Sequence, residues 1–455
     1  MSDIKVCKFS GAIFSQAENI EQLKEIIVAD KKRRIIIVAA PGKTDSEENI
    51  TDLLISCAQE YVKNRRLPEE LIHRIENRFL SLYKPFNLEP GLLQTCFQDL
   101  RKRINNFKRN KLQYIDNIKS SGEEYNARLI AEYLKKARVP CRYVDPKEAG
   151  LFVTEDFGNA LVLESSYDRL KNLQNSKEIV IFPGFYGYTK RKHIATFKRG
   201  GNDMTAAILA NAVDALLYEN FIDYAGLYAI DRDLVSKHDL IDRITYQELR
   251  ELTYAGFRTF HEELLYPVLI KGIPMHLIDF YHVDQSGTLI VKERKTKEDE
   301  IVGIAHRKGF CTIHIEKYMM NYEKGFGRRL LEIIERHHLS YEHSPSGIDS
   351  ISIILKQEEL PLDKIRKICM EIYKIMKADN VYFNYKRALV SVVGRGVRNI
   401  RLLSRMFQGL ARGNINVEMI IKGGSELSMI LCVEEEFVER CVRVLYDVIK
   451  GPRLK

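Results

Sequence analysis

The chain has 455 residues, of which 45% are hydrophobic and 29% are charged, and its formal net charge at pH 7 is +9. This composition is typical of a globular protein of two or three domains and excludes a disordered chain. No run approaches the roughly 20 apolar residues that cross a bilayer, and no apolar signal region precedes the first charges. We therefore expect a cytoplasmic protein without a membrane partner. The eight cysteines form no Cys-x-x-Cys pair, so we predict no disulfide and no metal-ligand residues.

The first part of the chain alternates short apolar runs with amphipathic helical patterns. Residues 4–9, 33–40 and 178–185 are rich in Ile, Val and Phe and are bounded by glycine, proline or charge. Continuous runs of this kind, followed by helices, indicate a parallel sheet that is covered on both faces. The sequence therefore predicts an α/β domain with three layers, αβα, around a mainly parallel sheet.

The most basic segment, residues 100–111, has two interpretations. It could bind nucleic acid, or it could be the solvated face of a helix. Apolar residues recur between its charges at helical spacing, at Ile104, Phe107, Leu112 and Ile115. Because no zinc-ligand spacing or aromatic RNA-reading motif accompanies the segment, we favour the helix face and expect no nucleic-acid partner.

A highly charged stretch at 292–300 separates this domain, residues 1–295, from a region of different character. Strand and helix patterns then repeat twice, over residues 300–378 and 383–455. Two successive units of this length predict a pair of small ferredoxin-like (α+β) modules.

Five segments resemble, in order, those of the aspartokinases, which combine an amino acid kinase domain with C-terminal ACT modules. The segments are VCKFSG (6–11), IIIVAAPGK with ENITDLL (35–54), SGEEYNARLIAEYL (121–134), TFKRGGNDMTAAILA (196–210) and GTLIV (287–291). The resemblance implies ATP-dependent phosphorylation of the aspartate side-chain carboxylate with Mg²⁺. This is the first step of the pathway to lysine, threonine and methionine.

The resemblance also implies which residues form the active site. It assigns catalysis to Lys8 and Asp203, aspartate binding to Thr51, Glu123 and Arg199, and nucleotide binding to Gly11, Gly200, Gly201, Asp223, Tyr228 and Arg258. A carboxylate is already ionised at pH 7, so the reaction needs positioning and positive charge rather than a general base. Four of these residues also have a plain structural interpretation: Lys8 as a surface lysine, Asp203 as a helix cap, Glu123 as a solvated glutamate and Thr51 as a helix residue whose hydroxyl has no function.

Several positions depart from the family pattern, mainly on the nucleotide side. Ser10 stands where the family has glycine, which would strain the loop if φ is positive there. In residues 221–235, Ile222 replaces a threonine and Asp233 replaces an arginine, with Arg232 one position earlier. These changes leave two alternatives open: a degenerate kinase fold that senses amino acids and regulates a partner, or a kinase for another carboxylate.

The two C-terminal modules resemble ACT domains, which bind amino acids. The matching positions and neighbouring polar groups predict an effector site at Met320, Gly325, Phe326, Gly327, Glu342, Ser346 and Asp349. The resemblance favours lysine as the effector. It also implies a homodimer or a higher homo-oligomer, in which the second module packs against another copy.

Overall fold

The computed structural model describes residues 2–44, 48–198, 200–235, 239–257, 265–295, 297 and 300–450. Two compact units divide the chain. The first comprises Met1–Leu227, Leu240–Tyr246 and Phe260–Arg294, and the second comprises Tyr228–Asp239, Gln247–Thr259 and Lys295–Lys455. No helix among the described residues is long and apolar enough to span a membrane.

Ten strands and eleven helices precede the charged stretch. The strands are β1 (Lys5–Phe9), β2 (Arg33–Val38), β3 (Cys141–Tyr143), β4 (Ile179–Pro183), β5 (Tyr186–Tyr188), β6 (Ile194–Thr196), β7 (Leu217–Ile222), β8 (Arg243–Thr245), β9 (Met275–Asp279) and β10 (Thr288–Val291). The helices are α1 (Glu18–Ala29), α2 (Ile50–Asn64), α3 (Glu69–Tyr83), α4 (Pro90–Ile104), α5 (Lys111–Lys119), α6 (Ser121–Lys136), α7 (Pro146–Ala149), α8 (Ser165–Leu170), α9 (Gly201–Ala212), α10 (Tyr246–Tyr254) and α11 (Tyr266–Lys271). These counts refer to the described part of the chain, and α10 lies in the second unit apart from its first residue.

The first unit is built on an eight-stranded sheet with the order β3-β4-β2-β1-β7-β9-β10-β8. Every neighbouring pair is parallel except β9 and β10, which are antiparallel. The mainly parallel sheet predicted from the sequence is therefore confirmed, and its three predicted strands correspond to β1, β2 and β4.

The two faces of β1 meet different helices. Cys7 and Phe9 belong to a core that also contains the apolar faces of α1 to α6. Because side chains alternate along a strand, Lys8 faces the opposite side of the sheet. There it contacts α9, which packs against β1, β2 and β7. A polar side chain thus enters the layer between the sheet and α9.

The helix predicted across the basic segment is interrupted. Helix α4 ends at Ile104, and α5 begins at Lys111 after Asn110, whose side chain accepts a hydrogen bond from the Gln113 N–H as an N-cap. The prediction of one continuous helix from the spacing of the apolar residues was therefore wrong. Leu112, one of those residues, is exposed instead of packed in a core. The helix-face interpretation of the charges holds for α4, where Arg101 pairs with glutamates of α3.

The second unit contains a six-stranded antiparallel sheet with the order β12-β13-β11-β14-β16-β15. Its strands are β11 (Gly303–Glu316), β12 (Tyr341–His343), β13 (Ser350–Lys356), β14 (Asn380–Val393), β15 (Met419–Ile421) and β16 (Ser428–Glu434), and its helices are α12 (Phe326–Arg336), α13 (Leu362–Met376), α14 (Ile400–Arg412) and α15 (Val438–Lys450). The long strands β11 and β14 pair along their whole lengths, with register shifts between Arg307 and Thr312. Each half of the sheet carries one pair of helices, α12 with α13 and α14 with α15. This is the predicted pair of α+β modules, joined through two shared strands.

Candidate active site

A buried ion pair links β1 to the first turn of α9. Lys8 Nζ lies 3.1 Å from Asp203 Oδ1, and the two side chains are only 8% and 14% exposed. Breaking such a pair by removing one partner typically costs about 3–5 kcal/mol, because the other charge stays buried. The sequence had left Lys8 open as a surface lysine, and its 6% residue exposure argues against that interpretation.

Two further residues, both on β7, hold the same carboxylate. The Asn220 side-chain amide donates a hydrogen bond to Asp203 Oδ1 at 2.8 Å, and the Tyr218 hydroxyl donates to it at 3.1 Å. Burial, and then the neighbouring carboxylate, raises the pKa of Tyr218 well above its usual value, so the phenol stays a donor. Sequence analysis missed both residues.

The second buried carboxylate, Glu123, lies in the first turn of α6. The Asn202 side-chain amide donates to its Oε1 over 3.5 Å, while its Oε2 is buried without a hydrogen-bond partner. Burial raises the pKa of Glu123 to about 7, against the opposing effect of backbone N–H groups at Glu123 and Ala40. Asn202 Oδ1 is also buried without a partner. The two unsatisfied acceptors favour a cationic ligand, since an unpaired buried acceptor is costly.

Asn202 fits beside Glu123 only because the residue packed against it has no side chain. A Cβ atom on Gly184, which follows β4, would lie 2.0 Å from Asn202 Oδ1. The side chain of Asn202, which extends from α9, is therefore held against the end of β4, and its amide group points to Glu123.

Backbone groups approach closely at the ends of β1 and β2 and at the start of α9. A Cβ atom on Gly11 would lie 2.8 Å from the Ala40 carbonyl oxygen, and one on Gly42 would lie 2.6 Å from the Gly11 carbonyl carbon. Gly200 precedes α9 with φ +86°, a conformation that favours glycine, and Gly201 is the first helical residue. A helix N-terminus entered in this way presents free N–H groups, which suit a phosphate.

The remaining predicted substrate and nucleotide residues fall in different places. Thr51 is half-buried in the first turn of α2, and Asp223 is exposed directly after β7. Tyr228 belongs to the second unit, where the Arg232 guanidinium lies over its ring at 5.3 Å. Arg199 and Arg258 lie outside the described residues. The structure thus brings together Lys8 with Asp203, while the other assignments stay predictions.

The replacement of glycine by Ser10 does not strain the backbone. Ser10 has φ −68° and ψ 157°, an ordinary extended conformation, and its hydroxyl is buried without a partner. The expectation of strain at Ser10 therefore does not apply. Asp233 is exposed, and its N–H donates to the Asp231 carboxylate at 3.1 Å in a local turn.

Six of the predicted effector residues lie in or just before the start of α12 and the turn before β13, whereas Glu342 lies on β12 opposite Ile354 and Leu355, at the other end of β13. Met320 and Phe326 are buried in one core cluster, and Gly325 precedes the helix with φ +78°. A side chain at Gly327 would meet open space, and Ser346 is exposed.

Two carboxylates of the predicted effector site already have protein partners. Asp349 Oδ1 accepts a hydrogen bond from the Met319 N–H at 2.9 Å. Glu342 lies 2.7 Å from the Arg307 guanidinium and accepts a hydrogen bond from the Tyr254 hydroxyl at 2.6 Å. Although burial opposes it, these contacts hold the pKa of Glu342 below its usual value. An ammonium group that binds Glu342 has to compete with Arg307.

Among the described residues, no cluster of three or more His, Cys, Asp or Glu side chains could hold a metal ion. Mg²⁺ commonly binds through one or two carboxylates together with substrate phosphates, and the exposed Asp223 is compatible with such a role.

Comparison with known proteins gives consistent results over nearly the whole chain. The profile of the amino acid kinase family matches residues 3–279, and an ACT domain profile matches residues 390–449. Aspartokinase 3 of Bacillus subtilis (strain 168) is 40% identical over 446 residues, which cover 98% of this chain and 98% of the relative. The chloroplastic aspartokinase 1 of Arabidopsis thaliana is 26% identical, over 97% of this chain and 79% of its own.

Solved structures show the same architecture. Aspartate kinase of Clostridium acetobutylicum superposes with a TM-score of 0.85 at 32% identity, covering 98% of this chain and 99% of its own. Aspartokinase III of Escherichia coli, crystallised with aspartate and ADP, superposes with a TM-score of 0.73 at 22% identity, covering 98% and 100%. The second likeness bears on the fold alone.

Proposed function

The chain belongs to the aspartokinase family of amino acid kinases, and on that premise we propose that it transfers the γ-phosphoryl group of ATP to the side-chain carboxylate of aspartate. Family membership confirms the resemblance, the kinase fold and the C-terminal ACT assignment that were predicted from the sequence. The observation that carries the proposal is the buried pair of Lys8 and Asp203 at the start of α9.

The chemistry of this pair fits phosphoryl transfer to a carboxylate. The nucleophile needs no deprotonation, so the protein has to bring two anions together and to stabilise the negative charge of a loose transition state. Lys8 supplies a cation that its partner Asp203 keeps in place. The N-terminus of α9, which Gly200 precedes and Gly201 begins, supplies free backbone N–H groups for a phosphate, and Mg²⁺ bound with ATP would neutralise further charge.

The substrate ammonium group is assigned to the acceptors beside α6. Glu123 Oε2 and Asn202 Oδ1 are both buried without partners, and an ammonium group supplies three donors. This supports aspartate, or another amino acid with an acidic side chain, as the acceptor. Arg199, which the resemblance assigns to binding of the substrate, lies outside the described residues and stays part of the proposal.

Regulation by an amino acid and assembly into a homodimer belong to the same proposal. The second unit provides the ACT module, and the start of α12 with the turn before β13 provides the effector site. Lysine is the proposed effector. We place the enzyme in the cytoplasm, because all eight cysteines are free and buried.

An initial-rate assay tests the proposal. Purified protein with Mg-ATP is given aspartate, glutamate or no acceptor, and ADP and acyl phosphate (trapped as hydroxamate) are both measured. Aspartate-dependent formation of both products supports the assignment, and inhibition by added lysine supports the effector. Preference for glutamate would indicate another carboxylate substrate. Binding of Mg-ATP without turnover, or no binding at all, would favour the degenerate regulator.

A further inference from the structure

One oxygen of the Asp203 carboxylate receives three donors, and two of them come from residues without an assigned role. Lys8 Nζ, the Asn220 amide and the Tyr218 hydroxyl all lie within 3.1 Å of Oδ1. Oδ2 accepts no hydrogen bond from the part of the chain that the structure describes. The carboxylate is thus held from one side and open on the other.

The two β7 residues occupy positions where a fold alone would favour apolar side chains. Tyr218 and Asn220 are both 0% exposed in the layer between the sheet and α9. Burying polar groups there is costly unless they are hydrogen-bonded, and Asp203 supplies the described side-chain partner of each. A carboxylate only accepts, so Asn220 must present its amide N–H₂ to Asp203, and its Oδ1 stays buried without a partner. This arrangement does not optimise stability.

We propose that Tyr218 and Asn220 are positioning residues that fix Asp203 through Oδ1, so that Lys8 keeps its ammonium group available to the transferring phosphoryl group. The inference rests on the proposed kinase function. Two neutral donors take up part of the negative charge on Oδ1. Without them, the carboxylate can rotate and pair more closely with Lys8. A closer pair withdraws the lysine from the phosphate, because both anions compete for the same N–H groups.

The first test replaces the tyrosine by its isosteric partner without the hydroxyl. Tyr218→Phe is expected to lower kcat about tenfold, equivalent to ~1.4 kcal/mol, with both KM values changed by less than about twofold. Tyr114→Phe is the matched control: Tyr114 is also buried, and its hydroxyl donates to the Ile104 carbonyl oxygen at 2.6 Å in the core on the other face of the sheet. The control variant is expected to keep its kcat.

A double-mutant cycle shows whether the tyrosine acts through Asp203. In an Asp203→Asn background, Tyr218→Phe should lower the residual kcat by less than about twofold, because the carboxylate that it positions is gone. Asn220→Leu, a change to a side chain of similar size, should also lower the kcat of the parent. In the Asp203→Asn background it should have little effect on kcat.

The outcomes separate the inference from the function on which it rests. If the parent protein phosphorylates aspartate and Tyr218→Phe leaves kcat unchanged, the inference is wrong while the proposed function stands. If Tyr218→Phe lowers kcat by the same factor in the parent and in the Asp203→Asn background, the inference is also wrong, because the hydroxyl group then does not act through Asp203. ATP hydrolysis without acceptor is measured in parallel, so that a wrong acceptor does not hide the effect. A parent without either activity overturns the proposed function and the inference together.

Discussion

The affinity for aspartate should fall steeply as the pH is lowered from 8 to 6. Glu123 is buried at the proposed ammonium site, and burial raises its pKa to about 7. Its carboxyl group is then about 90% ionised at pH 8 and about 10% ionised at pH 6. A protonated Glu123 cannot pair with the substrate ammonium group. The KM for aspartate should therefore rise about tenfold over this range, a change of ~1.4 kcal/mol in binding.

The measurement is a series of initial rates at saturating Mg-ATP, at constant ionic strength and at pH 6, 7 and 8. The KM for ATP serves as an internal reference and should stay within about twofold, because the nucleotide does not meet Glu123 in the proposed arrangement. Glu123→Gln should raise the KM for aspartate at every pH and remove its dependence on pH. A parent KM that stays constant from pH 8 to 6 would refute the reasoning. A Gln variant with the same pH dependence would place the titrating group elsewhere.

The same carboxyl group should lower stability at neutral pH. Its pKa is about 4.5 in the unfolded chain and about 7 in the folded protein, so the folded state binds more protons between these values. The free energy of unfolding contributed by Glu123 is therefore highest below about pH 4.5 and decreases as the pH rises to about 7, by roughly 3 kcal/mol. Glu123→Gln should raise Tm at pH 8 and have little effect at pH 4, as measured by calorimetry.

Three other changes have definite expected outcomes. Gly184→Ala places a Cβ against Asn202 and should raise the KM for aspartate about tenfold, whereas Gly91→Ala, where a Cβ meets no atom within 4 Å, should not. Ser10→Gly with Asp233→Arg should leave kcat within about twofold, since Ser10 is unstrained and Asp233 is exposed; a large gain would show that these departures weaken catalysis. Arg443→Ala on α15 removes a hydrogen bond of 2.8 Å to the Leu234 carbonyl, in the segment that carries Tyr228. It should increase amide hydrogen exchange in residues 228–235, whereas Arg440→Ala, an exposed charge-matched control on the same helix, should not.

The sequence predicted the parts of the site that lie in local patterns. Lys8 follows an apolar strand, and Asp203 follows a glycine pair that opens a helix, so each could be placed from its neighbours alone. The sheet order and the contact between β1 and α9 then bring the two together. Glu123 could be placed on α6, but its burial and its unsatisfied oxygen depend on Asn202 and Gly184, which are distant in sequence.

Long-range pairing explains what the sequence could not indicate. Glu342 was predicted to accept an ammonium group, but its partner Arg307 lies 35 residues earlier and on another strand. Tyr218 and Asn220 lie on β7, a short strand whose sequence, LYENFI, does not show which of its side chains face α9. Only the packing of α9 over that strand makes both residues donors to the Asp203 carboxylate.

The negative charges of Asp203 and Glu123 in the proposed site are offset in different ways. The difference explains how both carboxylates can be buried before substrate binds. Asp203 is balanced by the full charge of Lys8 and by two neutral donors. Glu123 has no cation of its own among the described residues, because the nearby Lys119 ammonium group pairs with Asp116 at 2.9 Å. Its raised pKa allows it to remain partly protonated, which avoids an uncompensated buried charge. The arriving ammonium group then supplies the missing cation. The cost of ionising Glu123 thus falls on the binding of substrate, and a ligand without an ammonium group has nothing to offset it.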